Sequence, residues 1–406
     1  MAELLLLVAG VSALVWSLLS RRAEAWPVTG PMVFLLLGWA LSQVPGAPML
    51  EAESGLHLLA EVTLIIVLFA DAAKVDVRAL RRMHAWPVRM LVVGLPLAIL
   101  LGFLPGLALL GDWGVWEVAM LAAILAPTDA ALGQAVVTNP QVPERVRRSL
   151  VVESGLNDGL ALPAVLMFGC FAVAGNHEFG QVSWVQFALE QIGLGALAGI
   201  GVGALGGLAL ARAHRLGLST VALEGIGILA VAGLCYLSAQ LIGGNGFLAT
   251  FVGGMAYRLT SAATPTYLLE FMETEGALLV LATFFLTGFV LVPHALAHAE
   301  IAFVMLILVS LFAVRPVAIW ASLAGSDAPA AARGFMGWFG PRGLATLLFA
   351  LMIVGELSNL RHGDEILVIA TLAVLASTVL HGLSAAPLAR RFGPGLLDTK
   401  RVDAKQ

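Results

Sequence analysis

The sequence has 406 residues, 60% of them hydrophobic and only 12% charged, with a mean hydropathy of +0.95. Soluble domains carry about 25% charged residues, so a separate soluble domain has no room here and nothing suggests a nucleic-acid partner. The net charge of −4 says little, because in a membrane chain the placement of positive charge carries the information.

A membrane span takes about 20 mostly apolar residues, and such stretches recur along nearly the whole chain. They predict helices over roughly 2–19, 27–43, 56–73, 90–110, 115–138, 148–174, 184–211, 219–241, 245–257, 268–292, 299–323, 333–357 and 364–388. The chain is thus read as an all-α polytopic membrane protein with thirteen transmembrane helices. Residues 1–389 are expected to form one transmembrane domain and 390–406 a short cytoplasmic tail. The first apolar stretch has no basic residue before it, and Arg21 and Arg22 follow it. That order is wrong for a cleaved signal peptide, so a retained helix with its N-terminus outside is expected.

Loop charges test the count. Basic residues cluster at 21–22, 74–89, 145–148, 212–215, 258, 333 and 390–405, all on one side of the predicted membrane, whereas Arg361 alone lies in a loop on the other. The bias assigns the basic loops and the C-terminus to the cytoplasm, in a cell inner (plasma) membrane. Arg315 and Arg342 fall inside predicted helices, where a lone charge needs a partner.

Cys170 and Cys235 lie in apolar runs without metal or disulfide spacing. The glycine-rich run at 193–207 has small residues four apart, the pattern for close helix packing in lipid. His294 and His298 have metal-like spacing but no third ligand, and read as a solvated loop pair. No HExxH or GxSxG element suits an intramembrane protease.

Between 126 and 158 the apolar runs contain Asp129, Glu153, Asn157 and Asp158. A carboxylate at the bilayer centre costs about 2.5–3.5 kcal/mol on insertion scales, which makes each a functional-site hypothesis. Pro127 interrupts the fifth predicted helix, and Gly340-Pro341 interrupts the twelfth. If residues 1–175 and 219–389 are two inverted six-helix repeats joined by a connector at 184–211, both breaks fall in the fifth helix of their repeat. Paired interruptions of this kind point to a transporter binding site, because freed backbone groups are tolerated only where they line a cavity or find partners. Asp129 is suited to balance the positive ends of the half-helices, and Arg342 to complement carbonyl ends at its own break.

Ser154 and Asp158 are four apart and share a helix face, as do Glu153 and Asn157. Oxygen ligands from Asp158, Ser154 and the freed backbone around Thr128 suit a hard monovalent cation. Arg315 is the expected partner of Glu153. Asp71, near the cytoplasmic end of the third helix, is either an outer ligand of the site or the first residue of the wet loop.

These residues resemble the NhaP-type sodium/proton antiporters, bacterial relatives of the animal sodium/hydrogen exchangers. The resemblance rests on ESGLNDG at 153–159, APTDAALGQAVV at 126–137, AVRPVA at 313–318, FGPRGLA at 339–345 and LFADA at 68–72. It implies the NhaA-like fold with crossed, broken helices, a homodimer in the bilayer and elevator-like alternating access. It also implies Asp158 as the essential acid, Ser154, Thr128 and Asp129 as its helpers, and a Glu153–Arg315 pair. The family's usual TDP reads Thr128-Asp129-Ala130 here, which leaves the geometry of the break open. Many members carry a long regulatory tail; this chain ends soon after its last helix, so such regulation is not expected, nor is a soluble partner.

The expected activity is exchange of sodium or lithium for protons, without a cofactor. Burial disfavours the ionised form of Asp158 and a bound cation favours it, so the two ions exclude one another. With Asn157 beside it in place of a second acid, exchange is expected to be one for one and electroneutral. A potassium/proton antiporter using the same residues is the alternative, and a cation channel the alternative of another class.

Overall fold

The computed structural model describes residues 2–23, 28–44, 49–74, 86–129, 132, 134–174, 181–261, 266–357 and 360–397. Every regular element among them is helical, as apolar chain in lipid must be unless it closes a barrel. In chain order the helices are α1 (Ala2–Ala23), α2 (Gly30–Ser42), α3 (Met49–Lys74), α4 (Trp86–Leu109), α5a (Val115–Ile124), α5b (Gln134–Val137) and α6 (Glu144–Ala174). They continue with α7 (Gln181–Arg215), α8 (Val221–Leu241), α9 (Gly246–Thr260), α10 (Thr266–Ala297), α11 (Ile301–Ser322), α12a (Ala330–Trp338), α12b (Leu344–Glu356) and α13 (Gly363–Phe392). Eight contain segments long and apolar enough to cross a membrane, and α2, α5a and α12b are shorter apolar helices. The tail residues 398–406 lie outside the described residues, as does Ala130.

The helices pack as two groups. In one, α7 lies along α9, α2 along α10, and α3 along both α9 and α10. The glycine run explains the first pairing. A methyl group at Gly199, Gly203 or Gly207 would meet backbone of Ala249, Gly253 or Tyr257 on α9, whereas Gly201 has nothing near it. Gly38 on α2 and Gly288 on α10 do the same for each other's helix, facing the carbonyls of Phe285 and Leu35. Overpacking such a contact costs about 1–3 kcal/mol. Gly203→Leu is therefore expected to lower the melting temperature of the purified protein, and Gly201→Leu to leave it unchanged. Equal melting of the two variants would refute this account of the packing.

The second group joins α4, α5a, α6, α11, α12 and α13. Its α4 and α11 each contain one π turn, at Met90–Gly94 and Ser310–Val314. Each turn stops two residues before a proline, Pro96 or Pro316. A proline has no N–H for the carbonyl four residues back, and widening the preceding turn relieves that mismatch. The second turn delivers Arg315, 4% exposed, into the centre of this group.

At the basic face, Arg145 stacks over the Trp86 ring at 3.7 Å and pairs with Asp327 at 2.7 Å. Hydrogen bonds from Arg145 and from Trp86 hold the Asp327 carboxyl down to about 2. The start of α4, the start of α6 and the loop between α11 and α12a are thereby clasped together. At the opposite end, His294, in the last turn of α10, contacts Asp364 at 2.9 Å and lies beside His298; the pair is solvent-exposed and also fastens this helix end to α13.

Candidate functional site

Chain leaves α5a after Ile124 and leaves α12a after Trp338, and the two freed segments cross. The Asp129 N–H donates to the Pro341 carbonyl at 2.8 Å. The Asp129 carboxylate accepts the Leu344 N–H at 3.0 Å, so it sits at the positive end of α12b. Arg342 donates to the carbonyls of Ala126 at 2.7 Å and Pro127 at 3.2 Å. The expectation that Arg342 serves its own break is corrected by this geometry. Because the segments cross, its guanidinium reaches the negative end of α5a. The C-terminal end of α5a and the N-terminal end of α12b are thus each balanced by a charge from the other break.

The carbonyls of the second break have other partners. Arg315 donates to Phe339 O at 3.3 Å, and His381 Nε2–H donates to Trp338 O at 3.0 Å. Ser377 Oγ accepts the Arg342 N–H at 2.6 Å and lies 3.1 Å from His381 Nδ1. Ser377 and His381 were missed at the level of sequence, although two polar residues four apart in an apolar span are a visible signal. Gly340 and Gly343 also have a steric reason. A side chain at Gly340 would collide with the Arg315 guanidinium, and one at Gly343 with the Asp129 carboxylate.

On α6, Glu153 receives Arg315 through the two terminal guanidinium nitrogens, Nη1 and Nη2, at 2.9 and 3.0 Å. Thr128 and Asn157 add hydrogen bonds to the same carboxylate at 3.3 and 3.2 Å. All four residues are buried, and a buried pair is tolerable only when its remaining oxygens are satisfied in this way. The Thr128 hydroxyl also lies 3.1 Å from Ser154 Oγ and accepts the Asn157 amide at 2.7 Å. These donations fix the amide's orientation, since the flipped form would set oxygen against the Glu153 carboxylate. The Asn157 oxygen therefore points away, buried and without a donor.

Asp158, 9% exposed, differs from its neighbour. Its Oδ1 is buried without a donor, and no hydrogen bond or ion pair of its carboxylate occurs among the described residues. Asp71 pairs with Lys74 at 3.1 Å and is partly exposed, yet its Cβ faces Gly155, one turn below Asp158. It occupies the basic-face edge of the cluster rather than its interior. The structure thus brings Thr128, Asp129, Ser154, Asn157 and Asp158 together beside the Glu153–Arg315 pair, with Asp71 at the rim.

The arrangement concentrates oxygen around one unpaired carboxylate. The hydroxyls of Thr128 and Ser154, 3.1 Å apart, and the donorless oxygens of Asn157 and Asp158 are ligand types that suit a hard monovalent cation. No group of three or more His, Cys, Asp or Glu placed to hold a metal occurs among the described residues. Next to Asp158, the Phe251 ring of α9 lies against Gly159, where any side chain would collide with it. A second buried acid unseen in the sequence, Glu117, accepts His362 Nδ1 at 2.9 Å. It ties the start of α5a to the start of α13 and has no contact with the cluster.

Residues 9–391 match the family described as sodium/hydrogen exchanger, transmembrane. The K(+)/H(+) antiporter NhaP of Alkalimonas amylolytica is 26% identical, over 96% of this chain and 67% of that protein. The sodium, potassium, lithium and rubidium/H(+) antiporter of Bacillus subtilis (strain 168) is 26% identical over 64% of this chain and 38% of its own length. The chain spans about two thirds of the first of these relatives and well under half of the second. Among solved structures, the sodium proton antiporter MjNhaP1 of Methanocaldococcus jannaschii at pH 8 superposes with a TM-score of 0.73 and 20% identity, covering 94% of this chain and 99% of that one. At that identity the likeness establishes a common fold.

Proposed function

The chain is a multi-pass membrane protein of the sodium/hydrogen exchanger family, and from that premise we propose that it exchanges sodium or lithium for protons at Asp158. The observation that carries the reading is the buried Asp158 Oδ1, which has no donor, on the helix that also carries the donorless Asn157 Oδ1. Buried oxygens without donors are costly, and a cation or a proton relieves that cost. Only one can do so at a time.

Glu153 is neutralised by Arg315 and takes no part in the exchange. Ser154 and Thr128 supply hydroxyl ligands, while Asp129 and Arg342 hold the crossed breaks in place. Alternating exposure of the cluster then couples inward movement of one ion to outward movement of the other. The Phe251 ring against Gly159 and the partly exposed Asp71 support a state in which the basic face gives access. The matched π turns before Pro96 and Pro316, and the matched breaks, support two inverted repeats and thirteen crossings. The basic loops support a cytoplasmic C-terminus, in a plasma-membrane homodimer.

A single exchanging carboxylate gives one proton per cation, so the exchange is electroneutral. In proteoliposomes, dequenching of a pH-sensitive dye on adding sodium should be the same with and without an imposed potential. Acceleration by the potential would refute the stoichiometry. A second reading is favoured by the relatives' own names, which include potassium. The cluster's ligand types do not separate the two alkali cations, since selectivity depends on cavity size and rigidity. Parallel dequenching with sodium, lithium and potassium decides between them: a response to potassium alone assigns this chain to potassium/proton exchange.

A further inference from the structure

A second polar feature lies on the face opposite the basic loops. A cavity of about 250 Å³ opens there between α3, α8 and α9 on one side and α12b on the other. It therefore lies along the seam between the two helix groups. Most of its wall is apolar, with Phe247 and Leu348 among the lining residues. Leu348 stands one turn from the start of α12b at the second break. Phe247 stands one turn, about 6 Å along the helix axis, from Phe251, whose ring covers Gly159 beside Asp158. The Phe247 wall of the cavity thus lies one turn of α9 from the ring packed beside Asp158.

Into this cavity α3 directs Glu61, with His57 one turn above it. The polar groups on the facing wall are Tyr236 and Gln240, and Gln240 Nε2 donates to the Tyr236 hydroxyl at 3.1 Å. No lysine or arginine lines the cavity, and Glu61 has no hydrogen bond or ion pair among the described residues. A carboxylate kept merely for solubility belongs on an open surface. This one stands half-buried in a mainly apolar cleft, where low-dielectric walls concentrate its field on whatever enters.

We propose that Glu61 is the residue that collects the cation at the face opposite the basic loops, holding it in the cavity above Phe247 before the Phe251 layer opens toward Asp158. The proposal rests on the exchange reading above. It adds a sided recognition step that Asp158 alone does not provide. An attractive charge in the approach path raises the local cation concentration and the rate of entry without altering the exchange step. Its removal therefore changes KM at one face only.

The test uses the full-length protein in right-side-out and inside-out membrane vesicles, with sodium presented to one face at a time. Glu61→Gln is expected to raise KM for sodium about three- to tenfold at the cavity face. KM at the basic face and the maximal rate at both faces stay as in the wild type. Glu61→Asp restores most of the lost affinity. Raising ionic strength with choline chloride narrows the gap between wild type and Glu61→Gln, because screening weakens a through-space attraction. An unchanged KM at the cavity face, an equal rise at both faces, or a fall in maximal rate without a KM change overturns the proposal. If the wild type shows no sodium- or potassium-driven proton exchange in either orientation, the exchange reading fails with it. Exchange by the wild type with a symmetric Glu61→Gln variant overturns this step alone.

Discussion

Asp158→Asn should abolish cation/proton exchange while leaving the protein at least as stable as the wild type. The substitution keeps the size of the side chain and removes its charge, so neither ion has a carboxylate to compete for. A loss of two orders of magnitude or more is expected, on the order of 3 kcal/mol or more at RT ln 10 per decade. Stability should move the other way. Asp158 Oδ1 is a buried acceptor with no donor, and an unmet buried group costs about 1–3 kcal/mol. A neutral amide lowers that cost, since a buried charge is more expensive to desolvate than a buried dipole. Transport in proteoliposomes and melting in detergent read the two effects separately. Retained exchange would move the site elsewhere, and collapse of the fold would make Asp158 a structural residue.

Arg315→Ala should have the opposite profile: a large loss of stability and, through it, of activity. The substitution leaves Glu153, 3% exposed, without the two guanidinium hydrogen bonds at 2.9 and 3.0 Å. It also releases the Phe339 carbonyl at the second break. Removing one member of a buried pair typically costs 3–5 kcal/mol. Removing both charges together, as Glu153→Gln with Arg315→Met, should recover much of that loss, because no buried charge is then left unpaired. The comparison is made by thermal melting of the purified proteins. An Arg315→Ala variant that melts with the wild type would refute the structural role of the pair.

The pH dependence follows from the same division. Protons compete with the cation at Asp158, so the apparent KM for sodium should rise about tenfold per pH unit on the acid side of the profile.

The helical architecture and the key acids were legible because they break the rules of a lipid-facing sequence. Charges within apolar runs and prolines within helices each signal a cost that must be met elsewhere. The partners of those charges were less legible. Arg342 caps α5a and Asp129 caps α12b only because the two breaks cross, and crossing is a three-dimensional fact that no spacing within one segment encodes. The π turns left a local trace, since Pro96 and Pro316 follow apolar runs in matching helices, but proline alone does not distinguish a π turn from a kink. Asn157 was legible as a neutral neighbour of Asp158. That its amide spends both donations on Thr128 and Glu153, leaving its oxygen bare, depends on three elements meeting. The cavity at Glu61 requires four helices and leaves no periodic mark in any of them.

The most direct measurement is the number of protons released when sodium binds to the detergent-solubilised protein, read by a pH dye in weak buffer near the midpoint of the pH profile. The account predicts release of up to about one proton per sodium bound by the wild type and none on adding sodium to Asp158→Asn. Sodium binding to the wild type without proton release, or equal release by the variant, would contradict it.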